Sequence, residues 1–545
     1  MNQLRWGTPS TLRELLCELV SWDSRTLTEG ENTFAPKLEA KLNELTYFID
    51  NPHQLALHDA GLGRQALTAL YKHPEATETI VLISHFDTVW TEEYGVLEPF
   101  AFYPEMLTKM LSEPKHNADL PEDARIDLET GNYLFGRGTM DMKMGLALHM
   151  QLIEKASVEK WPINLLLTTV PDEEVNSAGM RAAVKELVHI REEQGLTYKL
   201  FLNGEPSFSQ SPTDIEEYIY SGTIGKIMPA ALFYGKETHV GEPLKGMTAN
   251  YIASFLTQRM EWNELFRETD LGETTPLPVS LQQKDLKLQY STQTPYRAVA
   301  LYNVFLFKRT AGEVMDLFEQ VATEAMDACN DRYKVICERE QVKGVGEVRV
   351  FRYEQLLEYA IQKLGHEEVE RLKQETLENA DWDDREKSLR IVDNLMIQCQ
   401  ELAPATVLLY APPYYPAVNS SSDPLVKKSI ELMKDAAKEL GNKIGQMHYF
   451  NGICDLSYVQ YEDDANGWTT FESNTPVWGD TYSIPFTEMA QLKAPVLNVG
   501  PFGKDAHQRT ERLHVDSAFV EMPIMLEKLV KSMYIENESL ETCTG

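Results

Sequence analysis

The chain is poor in three things. Cysteine is the first: Cys17, Cys329, Cys337, Cys399, Cys454 and Cys543 are the only six in 545 residues, and no two form a C-x-x-C pair. That pattern speaks against a disulfide framework or a structural zinc knuckle and points to a reducing compartment. Positive charge is the second, because 51 Lys and Arg face 84 Asp and Glu for a net of −33. Such a field repels phosphate backbones and anionic headgroups, so neither nucleic acid nor a membrane surface is expected as a partner. Long apolar runs are the third. None reaches a bilayer's thickness, and Arg13, Glu14 and Glu18 interrupt the stretch where a leader's apolar segment would stand, so a cytoplasmic protein is expected.

What is present fits a globular protein, with 43% apolar and 25% charged residues. The length predicts two or more folded units. Near the start, Leu12, Leu15, Leu16, Leu19 and Val20 form one stripe, predicting a core-facing helix over 12–21 with a capping box from Thr11 to Glu14. Short apolar runs stand at 80–83, 163–167, 198–202 and 496–499, separated by helix-like stretches. Runs apolar on both faces predict strands buried between helix layers, as in a mostly parallel α/β sheet.

Each run leads into polar residues able to bind metal: Ser84-His85-Phe86-Asp87, Asp172-Glu173-Glu174, Asn203-Gly204-Glu205-Pro206, and Gly500-Pro501 with His507 beyond. In open α/β sheets the carboxyl ends of the strands are where ligands bind. From 223 to 352 the texture changes to strand, helix, two strand-like segments, helix and strand, predicting an inserted α+β domain. Residues 353–402 read as a helical insertion, the Val407–Tyr410 run as the return of the first unit, and the tail after Ile535 as disordered.

Taken singly, these motifs are weak. His85 and Asp87 lie two apart at a strand end and equally suit a solvated loop. In Gly136-Arg137-Gly138-Thr139-Met140-Asp141-Met142-Lys143 an Asp sits in a glycine-containing turn, which is also what a plain turn looks like. Asp172-Glu173-Glu174 either needs a cation to relieve its repulsion or only complements a helix start. Together, two histidines and several carboxylates can supply two divalent ions with N and O ligands and leave one carboxylate free to shuttle a proton, an arrangement suited to amide hydrolysis.

In this order the motifs resemble the M20 family of dinuclear zinc peptidases and amino-acid deacylases, from the Glu29-Gly30-Glu31 region to Glu511. The resemblance implies His85 and Glu205 on one metal, Glu174 and His507 on the second, Asp141 bridging both, Asp87 behind His85, and Glu173 as general base. It implies Zn2+, two per chain, with Co2+ or Mn2+ able to substitute. It also implies a catalytic α/β domain from 1–222 and 403–545 and a ferredoxin-like lid at 223–352 of the kind that often mediates dimers. His239, in Gly235-Lys236-Glu237-Thr238-His239, resembles the lid histidine that steadies an oxyanion; an ordinary histidine remains the alternative.

The chain departs from the family where relatives carry a lid Asp-x-Arg-x-x-Pro-Gly segment for the substrate carboxylate. The nearest match here is Phe305 to Gly312, which lacks the Asp and Pro and leaves Lys308 or Arg309, or neither, for that task. The 410–416 and 450–458 segments look most like the arginine-utilisation (RocB-like) branch, which implies a link to arginine catabolism. The expected function is hydrolysis of an amide bond in a small N-acyl amino acid or short peptide. The alternative is a metal-containing amino-acid-binding or regulatory protein that has lost hydrolysis.

Overall fold

The structure, a computed structural model, describes residues 4–210, 214, 216–462 and 465–541. It divides into two compact units: Met1–Thr223 with Val418–Tyr461 and Pro485–Gly545, and Ile224–Ala417 with Glu462–Ile484. The tail after Ile535, expected to be disordered, continues as helix to the end of Met522–Glu541, and only 542–545 of it, with Cys543, lie outside the described residues. Among the described residues no helix is long and apolar enough to cross a membrane.

The first unit is built on an eight-stranded sheet. Its order is Leu55–Asp59, Gln65–Tyr71, Asn164–Val170, Glu78–His85, Thr197–Asn203, Val496–Asn498, Glu217–Tyr220, Ile444–Met447. The four central strands, those of the four apolar runs, are mutually parallel. The flanking pairs at the Leu55 edge are antiparallel, so the sheet is mixed with a parallel centre. Side chains alternate across a strand. Ile80 and Leu82 therefore enter the core shared with helices Pro9–Ser21, Met144–Glu159 and Met522–Glu541, while Val81 and Ile83 face the other way and are equally buried. Burial on both faces explains why these runs carry no polar alternation.

The first helix begins earlier than its apolar stripe. Thr8 is its N-cap and forms a capping box with Thr11, and Pro9 takes the first turn, so the box expected from Thr11 to Glu14 lies one turn upstream. A smaller four-stranded sheet, ordered Tyr133–Phe135, Arg512–His514, Phe502–Lys504, Ser207–Phe208, joins three distant parts of the chain.

The second unit carries a six-stranded sheet. Arg297–Leu306 is flanked on one side by Gly225–Ile227 and Pro229–Tyr234, which follow each other in one continuous register, and on the other by Val279–Asp285. Helices Ala249–Met260 and Ala311–Arg339 pack together, and Tyr353–Leu364, His366–Leu377 and Asp384–Gln398 form a helical group. The run 407–410 does not return to the first unit. It lies in strand Ala405–Tyr410 of this second sheet, antiparallel to Pro229–Tyr234 and parallel to Arg349–Arg352. An apolar run states that a strand is buried on both faces; it does not say in which sheet.

Two positions test how the first unit is packed. A Cβ added to Gly145, in helix Met144–Glu159, would collide with the backbone carbonyl of Gly204, which cannot rotate away. Gly145→Ala is expected to cost about 1–3 kcal/mol in a denaturant melt, because overpacking against backbone forces the helix off the sheet. His149, four residues on, is fully buried with neither ring nitrogen bonded, and burial pushes its pKa from 6.5 down to about 3. Between these values the unfolded chain binds a proton that the folded chain refuses. Stability from this ring is therefore complete above pH 6.5 and drains as the pH falls toward 3. His149→Leu is expected to flatten the pH dependence of unfolding by roughly 2 kcal/mol between pH 6.5 and 5, read as the wild-type-minus-variant difference.

Candidate metal centre and active site

The parallel centre of the large sheet brings three acidic or imidazole-bearing segments together by direction alone. Strands Asn164–Val170, Glu78–His85 and Thr197–Asn203 are adjacent and point the same way, so the segments leaving their carboxyl ends meet at one edge. His85 closes the middle strand; Glu173 and Glu174 come after one neighbour and Glu205 after the other. The small sheet supplies the rest. Asp141 lies in the turn after Tyr133–Phe135, and His507 lies between Phe502–Lys504 and Arg512–His514, which pair as a hairpin. The two turns are fastened to each other. Buried Arg137 donates to Glu511 at 2.6 Å, and the Gly136 N–H donates to the Glu511 carbonyl at 3.1 Å.

The resulting geometry consists of two trios sharing one carboxylate. His85 Nε2 lies 3.3 Å from Asp141 Oδ1 and 3.4 Å from Glu205 Oε1. His507 Nε2 lies 3.1 Å from Asp141 Oδ2 and 3.0 Å from Glu174 Oε2. Glu173 Oε2 stands slightly farther from His85 Nε2, at 3.9 Å. One candidate ligand set, His85, Asp141 and Glu174, has its donor atoms all within 4.8 Å of one another.

These residues fit a divalent ion. Four ligands at about 2.0–2.2 Å in a tetrahedron are about 3.3–3.6 Å from each other, close to the separations here. His85 Nε2 is buried and makes no hydrogen bond despite its two carboxylate neighbours, so the atoms are spaced for something between them. The other ring nitrogen, Nδ1, is 3.1 Å from the Asp87 backbone carbonyl, which only accepts. That bond places the proton on Nδ1 and leaves the Nε2 lone pair facing the trio.

Asp87 thus touches His85 chiefly through its main chain; its carboxylate is 3.5 Å from Nδ1. The carboxylate instead accepts from the Thr26 hydroxyl at 2.8 Å, the Glu173 N–H at 3.0 Å and the Glu174 N–H at 3.3 Å. It orients the Glu173–Glu174 loop as much as the histidine, a task that sequence spacing does not reveal.

The electrostatics of the site are set by crowding. Burial raises Glu205 to about 7 and lifts Glu173 well above the ordinary carboxylate range, with neighbouring acids adding to both shifts. Asp141 is also buried, but contacts from His507 and His85 hold its pKa far below the usual value. His507 is half exposed, and its partial loss of solvent works against charge, yet Asp141 and Glu174 outweigh that and raise the ring to about 11. Sequence reasoning missed Asp455, which is buried and is raised by burial to about 7, with His85 and the Ser177 side chain partly offsetting that shift. Its only sequence signal is the 450–458 segment, which carries no metal-ligand spacing.

The remaining expected residues lie in the second unit. His239 is exposed and its Nδ1 accepts from the Gly241 N–H at 3.1 Å. Lys308 pairs with Asp270 at 2.6 Å, and the N–H groups of Phe307, Lys308 and Arg309 converge on the Glu268 carboxylate at 3.1, 2.9 and 3.1 Å. That anion-binding turn is filled by the chain's own acid.

Comparison with known proteins agrees with this architecture. The sequence profile of Peptidase family M20/M25/M40 matches residues 113–473. Protein YqjN of Bacillus subtilis is 39% identical over 98% of both chains, and protein RocB of the same organism is 30% identical over 94% of this chain and 93% of its own. An M20-family metallo-carboxypeptidase, Sso-CP2 from Sulfolobus solfataricus, shares the fold with a TM-score of 0.54 at 12% identity, covering 95% of this chain and 98% of that one. The chain belongs to peptidase family M20 and is a hydrolase.

If the trios are built for cations, a divalent ion must stabilise the folded chain. Dialysis against a chelator, then addition of Zn2+ or Co2+ at about 100 times the dissociation constant, is expected to raise stability by about 2.7 kcal/mol, read as a shift in thermal midpoint. Asp141→Asn should remove most of that shift.

Proposed function

We propose that the chain is a zinc-dependent amidohydrolase that cleaves an amide bond in a small N-acyl amino acid or short peptide. The observation that carries this reading is the shared carboxylate: Asp141 offers one oxygen to the His85 and Glu205 trio and the other to the His507 and Glu174 trio, while Glu173 stands just outside both. We assign His85, Glu205 and Asp141 to one Zn2+ and His507, Glu174 and Asp141 to a second, with Co2+ or Mn2+ as substitutes. Such an ion pair polarises a scissile carbonyl and lowers the pKa of water.

The chain's own residues do the rest. Glu173 accepts the proton from the attacking water and returns it to the leaving amine. Its carboxyl, raised by burial, has the added proton affinity that a group relaying a proton to the amine needs. Asp87 fixes the Glu173 and Glu174 peptides and, through its carbonyl, the His85 ring. His239 is assigned to the developing oxyanion. Catalysis belongs to the segments 1–222 and 403–545, apart from 403–417 and 462–484, which lie in the second unit, and the 223–352 region acts as a lid able to form a homodimer. The sequence resemblance to the arginine-utilisation branch extends the proposal to a cytoplasmic substrate of arginine catabolism.

A second reading, a non-hydrolytic amino-acid binder, draws on the self-filled turn at Phe307–Arg309. It leaves Glu173 without a purpose. Glu173→Ala separates the two. The variant is expected to keep its metal and lose about 10²–10⁴-fold in kcat toward N-acyl amino acids or dipeptides. Retained metal with unchanged turnover would remove Glu173 from catalysis. A wild-type protein that binds amino acids tightly but hydrolyses none would favour the binder.

A further inference from the structure

We propose that Arg64 is a positioning residue for Glu173 and Glu174, acting through its ion pair with Asp172; the inference rests on the roles given above to those two acids. Arg64 ends the turn between strands Leu55–Asp59 and Gln65–Tyr71. Two glycines with positive φ, Gly61 and Gly63, tighten that turn, and the Arg64 Nε–H donates to the Gly61 carbonyl at 3.2 Å. The guanidinium is thereby aimed before it meets a partner. It is buried, and Nη1 lies 2.5 Å from Asp172 Oδ1, itself buried.

Asp172 is the residue around which the acidic loop turns. Its backbone takes the left-handed conformation, with φ +67°. Its carbonyl accepts from the N–H groups of Val175, Asn176 and Ser177, and its Oδ2 accepts from Ala178 at 3.0 Å, the first residue of helix Ala178–Gln194. Asp87 holds the Glu173 and Glu174 N–H groups from the other flank. The loop carrying both acids is thus fixed by two aspartates, and Arg64 is the cation in contact with the one that shapes it. Arg181, on the next helix, adds a weaker attraction.

Removing the guanidinium leaves a buried carboxylate without its contact cation, a costly state that is relieved by moving Asp172. That movement loosens the acceptors that set the loop. The consequence is misplacement of Glu173 and Glu174 with no direct loss at the substrate.

The test uses the full chain loaded with Co2+. In Arg64→Met, kcat is expected to fall about 10–100-fold, the range typical when a partner behind a ligand is lost, with KM within about threefold. The visible Co2+ bands should change as Glu174 shifts. Hydrogen exchange should speed at the Val175 to Ala178 amides and stay unchanged in helix Met144–Glu159. Arg64→Lys should recover most of kcat, and Arg64→Met with Asp172→Asn should be no worse than the poorer single variant. A kcat for Arg64→Met within about twofold of wild type, or amide exchange at 175–178 left unchanged, overturns the proposal. So does an Arg64→Lys variant no better than Arg64→Met. Should Arg64→Met not fold, Arg64→Lys and Asp172→Asn carry the same readouts. A wild-type chain that neither binds Co2+ nor hydrolyses overturns the function itself, and amide exchange then still decides the role of Arg64 in shaping the loop.

Discussion

Mutual repulsion among buried carboxylates is the constraint this fold has to meet. Asp141, Glu174, Glu205 and Glu173 converge on the space served by His85 and His507, and burial raises the energy of each ionised group. Left to themselves such groups would separate or protonate. They stay together because separate rigid supports carry them: Glu173 and Glu174 follow one strand end, Glu205 follows another, and Asp141 sits in a turn of the small sheet. A divalent cation held among them would convert the repulsion into binding, so the crowding that costs stability is also what would give the cluster its affinity for metal.

Around the cage, oppositely charged or hydrogen-bonded partners hold the supports. Arg137 and Glu511 tie the Asp141 turn to the His507 turn, with Arg137 four residues before one ligand and Glu511 four after the other. Asp87 reaches from the His85 strand to two N–H groups of the neighbouring loop. Arg512, fully buried, binds Asp127 at 2.7 Å and Asp123 at 2.8 Å and so pins the same hairpin from behind. A net charge of −33 is thus no guide to the local picture, because the few buried arginines are spent where acids are densest.

The sequence made the central sheet legible because its strands are buried on both faces and leave uninterrupted apolar runs. Most of the candidate ligands stood out because His85, Glu174 and Glu205 end or closely follow such runs and Asp141 sits in a glycine-containing turn. Less accessible was the destination of 405–410, since an apolar strand carries no label for its sheet. The start of the first helix was displaced because Thr8 and Pro9, outside the apolar stripe, decide it. Arg64, Asp172's carbonyl and Asp455 were invisible for a common reason. Their importance lies in contacts across long sequence separations, and a lone arginine or aspartate in a loop has no periodic signature.

The order of the candidate ligands along the chain has a consequence for biosynthesis. Four of them, His85, Asp141, Glu174 and Glu205, are made early, whereas His507 arrives only after the whole second unit has been translated, and the hairpin that holds it completes the small sheet on which Asp141 sits. A ribosome-bound intermediate therefore displays four of the five candidate ligands and a small sheet that lacks two of its four strands. The last stretch to leave the ribosome is the one that brings His507 against Asp141 and closes the cluster.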